Sequence, residues 1–150
     1  MWAVEWIGAA FATSGNNTPE ANSQELNGRL HHALILILST DAVGAALLGA
    51  LIETLGYSIA FAHASESADD SIRRVRPKLV LLDCTDPSSC NDEVLGRAGM
   101  RGISVVIFGT RAALEHARTP LTEHDVDMLV VPPDPDVLDQ TLRRAVLKAG

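Results

Sequence analysis

From Leu30 onward, short uninterrupted apolar runs alternate with longer stretches in which apolar residues recur every three or four positions. The first run, Ala33 to Leu38 (ALILIL), has the length of one strand and no polar position, the pattern of a strand covered on both faces. A helix is predicted next. Ala42 to Leu55 sets Val43, Leu47, Leu51 and Leu55 four apart, with Thr40 or Asp41 to cap its start and Gly56 to stop it. Ser58 to Ala62 reads as a second strand. Ser67 caps a second helix, with Asp69 and Asp70 in its first turn and Arg73, Arg74 and Arg76 in its last, each sign at the end of the helix dipole that favours it. Its inward residues are Ala68, Ile72 and Val75.

Pro77 ends that helix, and Lys78 to Asp83 (KLVLLD) is a third buried strand closing on a carboxylate. A short helix follows at about Asp92 to Ala98, weakened by Gly96, and then a fourth strand at Ile103 to Phe108. Arg111 to Arg118 reads as a polar helix and Asp127 to Val131 as a fifth strand. Pro135 to Ala149 is the final helix, with Asp134 as cap, Pro135 in the first turn, and Leu138, Leu142 and Val146 on one face. Five strand–helix units in succession predict an α/β domain. Its five-stranded sheet is parallel with helices on both faces, because parallel neighbours need long right-handed crossovers.

Residues 1–28 break the pattern. They contain no Lys or Arg, and Thr13 to Gly28 is rich in Ser, Thr, Asn and Gly, as a linker is. Met1 to Ala12 reads as a short helix with Trp2, Trp6 and Ala10 at i, i+4 and i+8 and Phe11 nearby. Either it folds back over its own domain, or Trp2, Trp6 and Phe11 dock on a partner or an identical subunit. The organisation expected is an N-terminal extension over 1–28 and a folded domain over 30–150.

Composition narrows the function classes. Nineteen acids against twelve bases give a net charge of −7, with no basic run, which argues against a nucleic-acid partner. The longest apolar stretch, six residues from Ala33 to Leu38, falls far short of a membrane span. The N-terminal segment carries Glu5 and no early basic residue, unlike a secretory signal. Cys84 and Cys90 match no usual zinc spacing and read as two ordinary thiols in a reducing, cytoplasmic setting. His31, His32, His63, His116 and His124 are scattered with no metal-ligand spacing. The glycine-rich phosphate loops, the nucleophile elbow and the HExxH motif do not occur, so no enzyme activity is expected.

In an open parallel sheet the site lies beyond the carboxyl ends of the strands. Those ends are Ser39-Thr40-Asp41, Asp83, Gly109-Thr110 and Val131-Pro132. Asp83 stands out, since a carboxylate directly after LVLL can serve as phosphoryl acceptor, metal ligand or helix cap.

At this point the chain, over about Ala33 to Gly150, resembles the receiver domain of two-component response regulators. PKLVLLDCTDP is similar to the phosphoacceptor segment, with Asp83 at the phosphorylated position and Pro87 at the loop proline. LIETLGYSI is similar to the family's approach to strand two, and DMLVVPPDPDVL to its fifth strand and last helix. The resemblance implies a sheet in the order 2-1-3-4-5 and a cis peptide before Pro132.

The departures matter more for activity. The family's paired metal-binding acids fall on Ser39 and Thr40, its hydroxyl on Gly109 with Thr110 one place later, and its lysine on Val131. A phosphorylated carboxylate carries close to two negative charges, and phosphoryl-transfer sites work by surrounding them with cations. The site is therefore expected to need no cofactor. Mg²⁺ would be held only weakly, between Asp41 and Asp83.

The function expected is a signal-transduction module that keeps a phosphoacceptor-type aspartate and works by protein contact. Its partner would be a histidine kinase, a phosphotransfer protein, an output protein or a second copy. The resemblance places the contact face on Arg111, Glu115, Met128, Asp139, Arg143 and Arg144. With the last helix ending at Gly150, output is expected to pass through contact. The alternatives are a working phosphorelay receiver with a divergent metal site and a flavodoxin-like domain that binds a small ligand in the same crevice.

Overall fold

The computed structural model describes Gly28 and residues 33–85, 90, 92–118 and 126–149. The expected helix bearing Trp2, Trp6 and Phe11 and all of its linker but Gly28 lie outside the described residues, as do Pro87, His31, His32 and His124. Ala33–Gly150 forms a compact unit of its own.

The unit runs β1 Leu34–Leu38, α1 Ala42–Thr54, β2 Ser58–Phe61, α2 Ala68–Val75, β3 Leu79–Asp83, α3 Asp92–Met100, β4 Ser104–Gly109, α4 Arg111–Arg118, β5 Asp127–Val130 and α5 Pro135–Lys148. All four strand pairings are parallel and give the order β2-β1-β3-β4-β5, as expected. β3 is the central strand: Leu79 to Asp83 are all buried, with Leu81 opposite Ile37 on one side and Val106 on the other. Alternation along the strands divides the core. Leu36, Leu38, Val80, Leu82 and Ile107 pack with Ile72 of α2, Leu95 and Ala98 of α3 and Leu114 of α4. The intervening Ile35, Ile37, Leu79 and Leu81 are equally buried and face the other layer, where α1 and α5 touch each other and the sheet.

Local chemistry sets the helix ends. The side chains of Asp41, Ser67 and Asp134 accept from the N–H groups of Gly44, Asp70 and Asp136, satisfying donors that each new helix leaves open. Gly56 and Gly102 take positive φ just beyond α1 and α3, where a Cβ would be strained. The bond before Pro132 is cis.

One helix faces differently from the expectation. Val43 and Leu47 of α1 are 71% and 69% exposed, and Leu51 and Leu55 are half-buried. The core face is instead Ala45, Leu48, Gly49 and Ile52. The reason is compositional: α1 is apolar on every side, so the spacing of its large residues does not mark the inward one. Gly49 turns inward because the Phe61 ring lies against it, with Cζ 2.9 Å from where a Cβ would stand.

Candidate functional site

The carboxyl ends of β1, β3 and β4 and the loop after β5 meet in a cleft of about 400 Å³. It is lined by Ser39, Asp41, Gly44, Leu47, Leu48, Leu51, Asp83, Thr85, Phe108, Val131, Pro132 and Pro133. The floor is polar and the walls are apolar. Asp83 sits at the floor, only 7% exposed, because β3 carries it to the end of a fully buried strand. Both of its oxygens are engaged: the Ser39 hydroxyl donates to Oδ2 at 2.7 Å, and the Thr85 N–H donates to Oδ1 at 2.9 Å.

Asp41 lines the same cleft, but its Oδ1 accepts from Gly44 N–H at 3.0 Å as the cap of α1. The Ser39 Oγ in turn accepts from Asp41 N–H at 3.1 Å, so one hydroxyl ties the β1 turn to Asp83. Thr40 is exposed in that turn. Gly109 is buried at the end of β4, and its carbonyl accepts from Val131 N–H at 3.0 Å. The Thr110 hydroxyl faces α4 and accepts from Ala113 N–H at 3.2 Å.

Among the described residues that line the cleft there is no Lys or Arg. Among the described residues two carboxylates, Asp41 and Asp83, face the cleft, and no three His, Cys, Asp or Glu gather as a metal set would. The donors on Asp83 are neutral. They satisfy a carboxylate, yet bring no positive charge to a transferred phosphoryl group.

The cysteines correct the sequence reading. Cys84 and Cys90 are joined in a disulfide, with Cα atoms 5.1 Å apart, and no described cysteine is free. Cys84 follows Asp83 and turns into the α2, α3 and α4 layer, and Cys90, ahead of α3, packs against the same cluster. That the two sulfurs meet is not revealed by their separation in sequence.

The face named from the resemblance is dispersed and charged. Arg111 and Glu115 are exposed on α4, and Met128 is 36% exposed on β5. On α5, Asp139 pairs with Arg143 at 3.0 Å, and Arg144 reaches Asp127 of β5 at 3.2 Å. Sequence reasoning missed the Thr85 N–H and the apolar wall of Leu47, Leu48, Leu51 and Phe108. The wall residues carry no chemical mark of their own, and only the crossover geometry collects them.

No family model matches the chain, and no curated protein does. Solved structures do. The N-terminal signal receiver domain of a two-component response regulator from Bacteroides fragilis is 23% identical, with a TM-score of 0.63 over 77% of this chain and 97% of that one. The receiver domain of a sensor histidine kinase from Pseudomonas aeruginosa, with a magnesium ion coordinated in its active-site cleft, is 22% identical, with a TM-score of 0.62 over 77% and 98%. The signal receiver domain of a modulated diguanylate cyclase from Desulfovibrio desulfuricans G20 is 20% identical, with a TM-score of 0.58 over 79% and 96%. The chain therefore has the response-regulator receiver fold. Among the described residues, no helix is long and apolar enough to cross a membrane.

Proposed function

We propose that this chain is a signalling module of receiver fold that acts by binding another protein, without enzymatic activity and without depending on phosphate at Asp83. One observation carries the reading: among the described residues lining the cleft that presents Asp83 there is no Lys or Arg, and the carboxylate is already held by two neutral donors. In related chemistry the fixed positive charges around the transferred group do most of the work. Val131 stands in the wall where the resemblance puts a lysine, and Ser39 and Thr40 stand where it puts acids. No cofactor is required in this reading, and Mg²⁺ is at most weakly held by Asp83 and Asp41. The partner is a protein of the same signalling class, a kinase, phosphotransfer or output protein, or a second copy. In the cytoplasm, the compartment this reading assigns, Cys84 and Cys90 face reducing thiol buffers.

Incubation of the full chain with acetyl phosphate or beryllofluoride and Mg²⁺ tests the reading. The expected result is no mass increase and no shift in tryptophan fluorescence. A mass increase that disappears in Asp83→Asn would establish the second reading, a phosphorelay receiver with a divergent metal site, for which the retention of a carboxylate at the end of β3 speaks. The third reading, a small-ligand domain, draws on a cleft whose volume suits a small molecule. Saturable binding of an organic ligand, abolished by Leu48→Glu in a folded variant, would favour it.

A further inference from the structure

The amino ends of the strands, opposite the Asp83 cleft, carry a second concavity. It has a volume of about 520 Å³ and lies where α2 and α3 end and β3 and β4 begin. Arg73, Arg76, Lys78 and Arg101 line it over a floor that includes the buried Ile72 and Pro77. Among the described residues that line it there is no Asp or Glu. A chain with nineteen acids and only twelve bases thus gathers a third of its bases around one groove.

Part of this charge is fixed in place. The Asp69 side chain, only 14% exposed, pairs with Arg73 at 2.9 Å, Arg101 at 3.3 Å and Arg97 at 3.6 Å. One carboxylate orients three guanidiniums and can neutralise only one of them. Among the described residues, the side chains of Arg76 and Lys78 have no hydrogen-bond or ion-pair partner. Arg76 also takes a φ of 51°, the left-handed conformation that favours glycine at a helix end, yet the position holds a cation. Helix dipoles account for part of the pattern, since the carboxyl ends of α2 and α3 each carry about half a negative charge and favour a cation. Together with Asp69, and with Glu93, which pairs with Arg97, they offset about three of the five charges on Arg73, Arg76, Lys78, Arg97 and Arg101. About two positive charges remain, and over an apolar floor each attracts an anion more strongly than it would in open water.

We infer that this groove binds a chain of linked phosphate groups. Charge selects an anion. Placement selects one with more than one anionic group, because the cations come from two separate segments, 73–78 and 101, around a groove larger than a single phosphate. Chemistry selects phosphate. Three of the four lining cations are arginines, whose planar fork meets two oxygens at once, and a terminal phosphate offers them more charge and more acceptor oxygens than a carboxylate does. The chain of phosphates can be free or part of a nucleotide. The groove and Asp83 lie at opposite ends of β3, so this inference stands apart from the contact reading above.

Isothermal titration calorimetry of the full chain with sodium tripolyphosphate, without Mg²⁺ and at about 50 mM salt, tests the assignment. Saturable binding at one site is expected, weakened about tenfold or more by Arg76→Glu and by Lys78→Glu. It weakens again at about 500 mM salt. Both side chains are exposed, so both variants keep the wild-type circular dichroism spectrum and urea midpoint. Val43→Glu, on α1 in the other layer, leaves the affinity within about twofold. Inorganic phosphate and citrate bind about tenfold more weakly or worse. Adenosine triphosphate separates the two sources: tighter binding than tripolyphosphate assigns a nucleotide, and equal or weaker binding a free polyphosphate. No saturable binding of tripolyphosphate up to about 5 mM overturns the inference. So does binding that resists both charge reversals, that Val43→Glu weakens equally, or that citrate matches. Failure here leaves the contact reading standing, and covalent phosphate on Asp83, read as a mass increase, would leave the groove standing.

Discussion

Helices α1 and α2 lie in different layers and solve the problem of covering the sheet in opposite ways. α2 is short, polar and anchored by charge. Ser67 caps it, Asp69 pairs with Arg73 at 2.9 Å, and the same carboxylate reaches Arg101 at 3.3 Å and Arg97 at 3.6 Å across to α3. Just ahead of it, Glu66 accepts from Arg74, Ser71 and the His63 N–H, while Arg74 also donates to the Phe61 carbonyl. α1 is longer, lacks ion pairs along its exposed stripe among the described residues, and turns Ala45, Leu48, Gly49 and Ile52 to the core. Two helices can therefore be equally well packed beneath and entirely different above. Where polar residues mark the outer face, orientation follows from sequence; where nothing marks it, orientation follows from what the sheet can accommodate.

The largest expected contrast is in truncation. Ile72→Ala in α2 removes a side chain only 2% exposed and should cost about 2–5 kcal/mol, whereas Val43→Ala in α1, 71% exposed, should cost under about 0.5 kcal/mol at dilutions where the chain is monomeric. Urea unfolding of both variants measures this. A loss of more than about 1 kcal/mol for Val43→Ala would place that residue against something within the same chain.

Next in size are the caps. Ser67→Ala removes the acceptor for Asp70 N–H and should destabilise by about 1 kcal/mol; Asp41→Ala removes the acceptor for Gly44 N–H with a similar effect. Gly44 sharpens the comparison, because a Cβ there would run into the Asp41 carboxylate. Gly44→Ala is thus expected to lose the cap instead of gaining the helix propensity an exposed glycine would otherwise yield.

Acid gives the smallest effect and separates the two helices by pH. The hydrogen bonds from Arg74 and Ser71 hold the Glu66 carboxyl well below its ordinary value of 4.5. Its contribution is fully present above that value and is lost as pH falls through it toward the lowered one. The difference in urea midpoint between wild type and Glu66→Gln should therefore shrink between neutral pH and about pH 3. A difference that stays constant would show that the clamp does not act through ionisation.

Much of the fold is legible for physical reasons. Uninterrupted runs such as LVLL can be satisfied only by a strand covered on both faces, and Ser67, Asp134 and Gly56 each stand where a helix end needs their chemistry. The cis bond before Pro132 and the strand order came with the receiver resemblance and are present in the structure. Asp83 is legible because a carboxylate ending an apolar run is rare and costly unless partnered. Its partners are less so: Ser39 is forty-four residues away, and Thr85 contributes a backbone group that any residue would supply. The face of α1 and the joining of Cys84 to Cys90 escape a one-dimensional reading altogether, since each depends on three-dimensional neighbours and not on residue type.

At the end of β4, Gly109 leaves room that its neighbours do not fill. A Cβ placed there would stand 3.5 Å from both the Ala113 methyl and the Thr85 hydroxyl, ordinary contact distances that ask nothing to move. The lack of a side chain there is thus not enforced by crowding at the Cβ. A methyl-sized group at this position would therefore leave the packing of β4 against α4 as it is.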